Sequence, residues 1–493
     1  MSITAADEAR VLASVPKGIY VGGVFRDSSD GKTLDVFDPA TGKVLATIAD
    51  ASPEDGMAAM TAAHDAQAAW GKTAPRVRAE LLRAAFEKLT AMSDDFGILM
   101  SLEMGKPFAE AKGELAYGSE FLRWFSEEAP RINGRFGTAP DGKMRLMVAK
   151  RPVGPSLFIT PWNFPLAMAT RKIGAAMAAG CTSILKPAAL TPLTALLFAK
   201  VLHDVGVPAG VVNIIQTSRS GAVTAPIIKD SRLRKLSFTG STGVGRRLIA
   251  DAADRVLRVS MELGGNAPLL VFEDADIDKA VTGAMAAKLR NMGEACTAAN
   301  RMLIHESVVE EFSTKLAAKM AELKVARGVA DGTNIGPMID EKSRTDIHAL
   351  VQDALDQGAT ALTGGAIPAG EGYFYPPTVL VNVPKTARVL SEEIFGPVAP
   401  IVTFKTEAEA IAMANDTEYG LVAYVFTNDV SRGLRVAEGL EVGMMGLNTG
   451  IVSNPAAPFG GVKSSGLGRE GSLEGIEEYL ETQYIGIADP YDA

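Results

Sequence analysis

A chain of 493 residues is too long for a single hydrophobic core, and its length sets an expectation of about three domains. Hydrophobic residues at 47% and charged residues at 22% are a globular balance, which excludes a disordered or low-complexity protein. The net charge of −9, with no basic tract, argues against nucleic acid or an anionic membrane as partner. Any anionic ligand then has to be held by locally placed Arg, Lys and backbone N–H groups.

The first residues, Met1 to Glu8, are acidic where a secretory leader is basic, and no apolar run follows. No stretch reaches the roughly 18 uninterrupted apolar residues of a membrane span. Only Cys181 and Cys296 occur, so no disulfide framework is expected and a cytoplasmic location fits. The four histidines (His64, His203, His305, His348) are scattered, and no metal site is expected.

Residues 53–70, 76–92 and 114–128 carry helical spacing, with Met57, Met60, Leu81, Leu82, Ala85, Phe86 and Leu89 at apolar positions. Around 131–151 two short runs flank Pro140-Asp141-Gly142, and the second alternates as Met144, Leu146, Val148, which predicts a protruding β-hairpin. From 154 onward short apolar runs at 156–160, 182–185, 211–215, 235–238 and 256–261 alternate with helical segments at 165–179, 192–204, 220–229 and 243–253. That alternation predicts βαβ units and a parallel, doubly wound sheet whose ligands collect at the carboxyl ends of the strands. A second α/β region starts at 267–272 and runs to about 460. The segment 477–487 has strand-like alternation and is expected to pair with the hairpin or with another subunit.

The chemistry is therefore sought just after each run. Cys296, in Asn291-Met292-Gly293-Glu294-Ala295-Cys296-Thr297, reads either as a buried small hydrophobe or as a nucleophile with small neighbours that admit substrate. Cys181, opening an apolar strand, reads as core. Glu262 ends a strand before Gly264-Gly265; desolvation there raises a carboxyl toward the range of a general base, although a salt-bridged structural Glu fits the same place. Asn163, in Thr160-Pro161-Trp162-Asn163-Phe164-Pro165, is held by two prolines as an oxyanion donor would be, or as part of a capped turn. Gly240-Ser241-Thr242-Gly243-Val244-Gly245 links a strand to a helix and can present N–H groups to phosphate, but its spacing is not the G-x-G-x-x-G fingerprint. Lys186 closes another strand and reads either as a ribose or phosphate ligand or as a solvated loop lysine.

This combination resembles the aldehyde dehydrogenase superfamily over nearly the whole chain. The resemblance is carried by Pro161-Trp162-Asn163-Phe164-Pro165, Lys186-Pro187, Phe238-Thr239-Gly240-Ser241, Glu262-Leu263-Gly264-Gly265-Asn266, Cys296, Glu393-Ile394-Phe395-Gly396-Pro397 and Pro458-Phe459-Gly460-Gly461. It implies an α/β fold of two doubly wound parallel-sheet domains plus a small β oligomerisation arm. The dinucleotide-binding domain is expected at 1–130 and 152–264, the catalytic domain at 265–460, and the arm at 131–151 and 461–493. It also implies Cys296 as nucleophile, Glu262 as general base, and Asn163 with the Cys296 N–H as oxyanion hole. Pro161, Trp162, Lys186, Ala189, Gly240, Ser241, Leu263, Glu393 and Phe395 are expected to hold the cofactor, and the assembly to be a homodimer or homotetramer.

Closer features are similar to the succinate-semialdehyde dehydrogenase branch: Thr170-Arg171-Lys172, Leu289-Arg290-Asn291 and Asn448-Thr449-Gly450-Ile451-Val452-Ser453. There two arginines and a serine clamp a distal carboxylate, which here implies Arg171, Arg290 and Ser453; a surface arginine and a structural ion pair are the plainer readings of the first two. Glutarate semialdehyde, one methylene longer, is the alternative substrate, since a methylene discriminates by only ~1–3 kcal/mol. Ala189 stands where many NAD-preferring relatives carry a Glu that binds the ribose hydroxyls and would repel a 2′-phosphate. NADP is thus expected to be accepted and preferred over NAD, with Arg219 near the adenosine end. Ala298 replaces the second cysteine that some relatives carry, so oxidative loss of activity is expected through Cys296 alone. Glu262 argues against a coenzyme A-acylating enzyme, which needs no water-activating base.

Overall fold

Period-two burial builds the first sheet. In the strand Ser156–Ile159, Leu157 and Ile159 enter one apolar cluster while Phe158 enters the other, so both faces are covered. The computed structural model describes residues 3–489 and 491. Eight strands form this sheet, in the order Val24–Arg26, Ile19–Val21, Val212–Ile214, Ser183–Lys186, Ser156–Ile159, Lys235–Thr239, Arg258–Glu262 and Gly466–Leu467. The five from Val212–Ile214 to Arg258–Glu262 are parallel, and the edge pairings are antiparallel.

Helices cover this sheet on both faces. Pro53–Lys72 starts at a capping box in which Ser52 and Asp55 satisfy each other's backbone N–H, with Pro53 in the first turn. Ala167–Ala179 is buried along its whole length and ends at Gly180, whose φ of 90° suits glycine. Phe108–Glu128 packs against it.

The second sheet has seven strands, in the order Thr360–Thr363, Thr378–Val381, Val398–Phe404, Ala299–His305, Ala267–Val271, Val422–Phe426 and Met444–Leu447, parallel apart from the first pair. Leu269 and Val271 face one core and Leu270 the other. A third, antiparallel sheet joins Arg135–Thr138, Met144–Pro152 and Leu480–Ala488, the last two in a nine-residue register. Among the described residues no helix is long and apolar enough to cross a membrane.

Several boundaries differ from the sequence-based expectation. The strand expected at 256–261 begins at Arg258, because Val256 turns the chain with φ 52°. The terminal strand begins at Leu480, after a short helix Ser472–Glu477. The segment from 461 onward does not enter the arm directly: Gly466–Leu467 pairs with Arg258–Glu262 at the edge of the first sheet, tied by Leu263 N–H to the Ser465 carbonyl at 2.9 Å. That detour brings Glu470 beside Arg171 and Lys172.

Candidate active site

Ser156–Ile159 and Lys235–Thr239 are adjacent parallel strands from which the chain winds in opposite directions. The loops leaving their carboxyl ends therefore diverge and open a crevice, the ligand position of doubly wound sheets. A cavity of about 210 Å³ lies there, lined by Pro161, Trp162, Asn163, Met168, Thr239, Gly240, Ser241, Glu262, Leu263 and Gly264, with Cys296, Glu393 and Phe395 closing it from the second half of the chain. Gly264 and Gly265 permit this approach. A Cβ on Gly265 would stand 2.7 Å from the Cys296 carbonyl oxygen, and one on Gly264 2.9 Å from Glu393 Oε2.

Cys296 follows a tight reversal in which Asn291, Met292 and Gly293 all have positive φ, at 53°, 59° and 81°. Such backbone costs about 1–3 kcal/mol per non-glycine residue and persists only where neighbours over-determine it. Here Asn163 Nδ2 donates to the Glu294 carbonyl at 3.0 Å, and Asn291 Nδ2 donates to the Glu294 carbonyl at 2.8 Å and the Asn163 carbonyl at 3.1 Å. Lys106 Nζ reaches the same Asn163 carbonyl at 2.8 Å and pairs with Glu114. Glu114 in turn accepts the N–H groups of Leu166 and Ala167 at 2.9 and 3.1 Å, capping the entry to Ala167–Ala179. The two loops are thus one hydrogen-bonded unit, with one Asn163 amide hydrogen fixed on Glu294 and the other left for a ligand.

Behind Glu262 sits a buried group of three charges. Arg171 and Lys172 both pair with Glu470. Burial would raise Glu470, but the two cations outweigh it and hold it below the usual carboxylate range. Glu262 receives no such partner: its Oε2 is buried and unbonded, and burial, reinforced by Glu470, pushes its pKa well up. Burial also pushes the Cys296 thiol up to about 12, against the pull of Arg171. A base and a nucleophile, both desolvated, share one cavity.

At the other end, Ser241 is the N-cap of Thr242–Ala253 and its hydroxyl makes no capping bond, so this helix N-terminus is open to an anion. Trp162 and Phe395 meet edge to face with centroids 5.4 Å apart, Phe395 at φ 53°. Glu393 accepts the Gly265 N–H at 3.1 Å, and burial pushes its pKa up to about 7. Lys186 is buried, not a solvated loop lysine; it donates to Ser220 Oγ at 3.0 Å, and burial lowers its pKa to about 8. Ala189 lies half-buried in the turn after it. Neither Lys186 nor Ala189 lines the cavity itself. Arg219, beside Ser220, is turned to Asp30 and to the Asp50 carbonyl. An open helix N-terminus, a serine hydroxyl and a carboxyl line this end of the cavity, a set whose chemistry suits a dinucleotide.

A second cavity, about 450 Å³, holds Arg290 and Ser453 together with Glu110, Glu114, Tyr117 and Phe164. Arg290 donates to Ser453 Oγ at 2.9 Å and lies between the rings of Tyr117 and Phe164, at 5.3 and 5.2 Å from their centroids. Arg171 lines neither cavity. It is 1% exposed, not a helix-surface residue; it stacks on Phe459 at 4.6 Å, and its Nη2 is buried without a partner.

Sequence reasoning missed Met168, Thr239 and Gly264 as cavity walls, Lys106, Glu114 and Asn291 as supports, and the Lys172–Glu470 pair. The nearest signal was position: Asn291 and Lys172 sit within motifs already singled out, one residue from Arg290 and Arg171.

The chain is 63% identical over 449 residues to succinate-semialdehyde dehydrogenase of Paenarthrobacter nicotinovorans, covering 91% of this chain and 100% of that protein. It is 50% identical over 471 residues to glutarate-semialdehyde dehydrogenase of Pseudomonas putida, covering 95% and 97%. Among solved structures, an NADP-dependent enzyme of Escherichia coli superposes with a TM-score of 0.95 at 47% identity, covering 97% of this chain and 99% of that one. The profile of the aldehyde dehydrogenase family matches residues 25–485, and the chain belongs to that family.

Proposed function

We propose that this enzyme oxidises succinate semialdehyde to the dicarboxylic acid through a thioester on Cys296, with NADP preferred and NAD accepted. The observation that carries the reading is one cavity in which a thiol, an unpartnered buried carboxyl and a fixed amide converge at the switch point of a doubly wound sheet. Cys296 Sγ attacks the carbonyl carbon, and the oxygen that gains charge is met by the free Asn163 N–H and the Cys296 backbone N–H. A nicotinamide dinucleotide, when bound, supplies the hydride acceptor. Ser241 and the N-terminus of Thr242–Ala253 would hold its pyrophosphate, Glu393 and Lys186 its ribose hydroxyls, and Pro161, Trp162, Gly240, Leu263 and Phe395 its flanks. Glu262 removes a proton from the water that hydrolyses the thioester.

Succinate semialdehyde is favoured over a plain aldehyde because Arg290 and Ser453 face the second cavity already hydrogen-bonded to each other, and Arg171 keeps one buried donor unpaired. Hydrogen bonds to a charged group contribute roughly 1.5–3 kcal/mol each. Glutarate semialdehyde presents the same carboxylate and is the second substrate of this reading, in keeping with the P. putida relative. The NADP preference rests on Ala189, which places no carboxylate beside the ribose, and on the E. coli structure's NADP dependence. Arg219 contributes less than its charge suggests, because Asp30 already occupies it.

The test is a panel of aldehydes with and without a distal carboxylate, run with both cofactors and followed at the reduced-nicotinamide absorbance. The expected result is a preference for the semialdehyde acids of two orders of magnitude or more, reduced in Arg290→Ala and in Arg171→Ala. A preference that both variants leave intact would overturn the clamp, and activity that requires coenzyme A would overturn hydrolysis by Glu262.

A further inference from the structure

The hydroxyl of Tyr117 is buried, and its O–H meets no acceptor. Its side chain comes from Phe108–Glu128 and lines the second cavity with Arg290 and Ser453. A buried hydroxyl left unbonded costs about 1–3 kcal/mol, so a fold that keeps one at a cavity wall has a ligand atom to meet it. The ring cannot turn away: Phe121 packs edge-on to it at 5.0 Å and 78°, and the Arg290 guanidinium lies 5.3 Å from its centroid. Arg171 is the side chain that reaches this hydroxyl, and a guanidinium only donates, so the O–H still needs an acceptor.

We propose that the Tyr117 hydroxyl is a specificity-determining donor to the distal carboxylate of the substrate, acting beside Arg171, Arg290 and Ser453. This rests on the semialdehyde reading above and extends it. Burial outweighs the two arginines and keeps the phenol protonated, so toward an anion it acts as a donor. A phenol between guanidiniums adds direction that charge alone lacks: the carboxylate oxygen must lie on the O–H axis, which fixes how far the aldehyde end reaches toward Cys296. An alkyl chain offers that hydroxyl nothing and leaves it unbonded.

The experiment compares wild type with Tyr117→Phe, which keeps the ring and its stack on Arg290. It measures kcat/KM for succinate semialdehyde and for butanal, with inhibition by succinate as a binding readout and the thermal midpoint as a fold check. The expected outcome is a fall of about ten- to hundred-fold in the semialdehyde-to-butanal ratio, carried by KM, with succinate inhibition weakened by a similar factor. A ratio and a succinate inhibition both unchanged in Tyr117→Phe, beside a wild type that discriminates, overturn the assignment of Tyr117 alone and mean that the hydroxyl meets only water. A wild type that does not discriminate overturns the semialdehyde reading and this inference with it.

Discussion

Replacing Asn163 by alanine tests the oxyanion assignment with little collateral damage, because the loop is anchored through its backbone. Lys106 and Asn291 both donate to the Asn163 carbonyl, which alanine retains. The side chain contributes one bond, Nδ2 to the Glu294 carbonyl at 3.0 Å, and that acceptor keeps Asn291 Nδ2 at 2.8 Å. No buried acceptor is orphaned, so the stability loss should be that of a single neutral hydrogen bond, about 0.5–1.5 kcal/mol. The loss in the transition state is larger. A preorganised donor in a dry site contributes about 2.7–4 kcal/mol, which converts to a fall in kcat of about a hundred- to a thousand-fold.

The assay is steady-state kcat at saturating aldehyde and cofactor, together with cofactor binding by fluorescence and the thermal midpoint. The expected pattern is a large loss in kcat, cofactor affinity within about twofold, and a small shift in midpoint. A kcat reduced less than about fivefold in a folded, cofactor-binding variant would refute the oxyanion role. A thermal midpoint that collapses instead would mean that the amide holds the loop rather than the reacting oxygen.

Glu262→Gln should cut steady-state turnover by about a hundred- to ten-thousand-fold and slow the first-turnover burst of reduced cofactor as well, because thiol and water both lose their proton acceptor; stopped flow measures both. Glu393, with its pKa pushed up to about 7, turns from neutral acid to acceptor-only carboxylate as pH rises; the cofactor KM should therefore fall between pH 6 and 8 and be flat in Glu393→Gln. Ala189→Glu puts an anion where a 2′-phosphate would lie, a repulsion of about 4 kcal/mol at 4 Å and an effective dielectric of 20, so the NADP-to-NAD ratio of kcat/KM should drop by two to three orders of magnitude. Glu470→Gln frees Arg171 and Lys172 to act on Glu262, and the acid limb of the kcat–pH profile should move to lower pH, at a stability cost of about 3–5 kcal/mol.

How much of this was legible depended on whether a residue's role is local. The strands and helices from 156 to 262 announce themselves by period, and so do the carboxyl ends where Asn163, Lys186, Ser241 and Glu262 sit. The helix Ser93–Glu103 did not, because Phe96 to Glu103 are buried on every side and leave no amphipathic stripe. Lys106, in a loop, and Glu114, at the start of an expected helical stretch, carry no local mark of their role, and only the folded chain shows them fully buried against the Asn163 loop. Asn tolerates a left-handed φ but Met does not, so the reversal at Asn291-Met292 is imposed by the hydrogen bonds around it rather than by local preference. Glu470 lies 298 residues from Lys172, and no pattern short of the sheet edge at Gly466–Leu467 could have joined them.

The buried charges and the raised thiol belong to one design. Burial pushes the Cys296 thiol up to about 12, so it is held as a thiol at neutral pH and its proton needs an acceptor when the sulfur attacks. The thiolate so formed is intrinsically a strong nucleophile, because nucleophilicity rises with basicity. The acceptor has to be a base that is dry, unpaired and within the same cavity, and Glu262 meets all three conditions because Glu470 has taken both nearby cations. Had Arg171 turned to Glu262 instead, that carboxyl would be an ordinary ion-paired anion, too weak a base for either the thiol or the water. The cluster of Arg171, Lys172 and Glu470 therefore serves the chemistry from behind Glu262, by holding that proton acceptor free rather than by touching the reacting atoms.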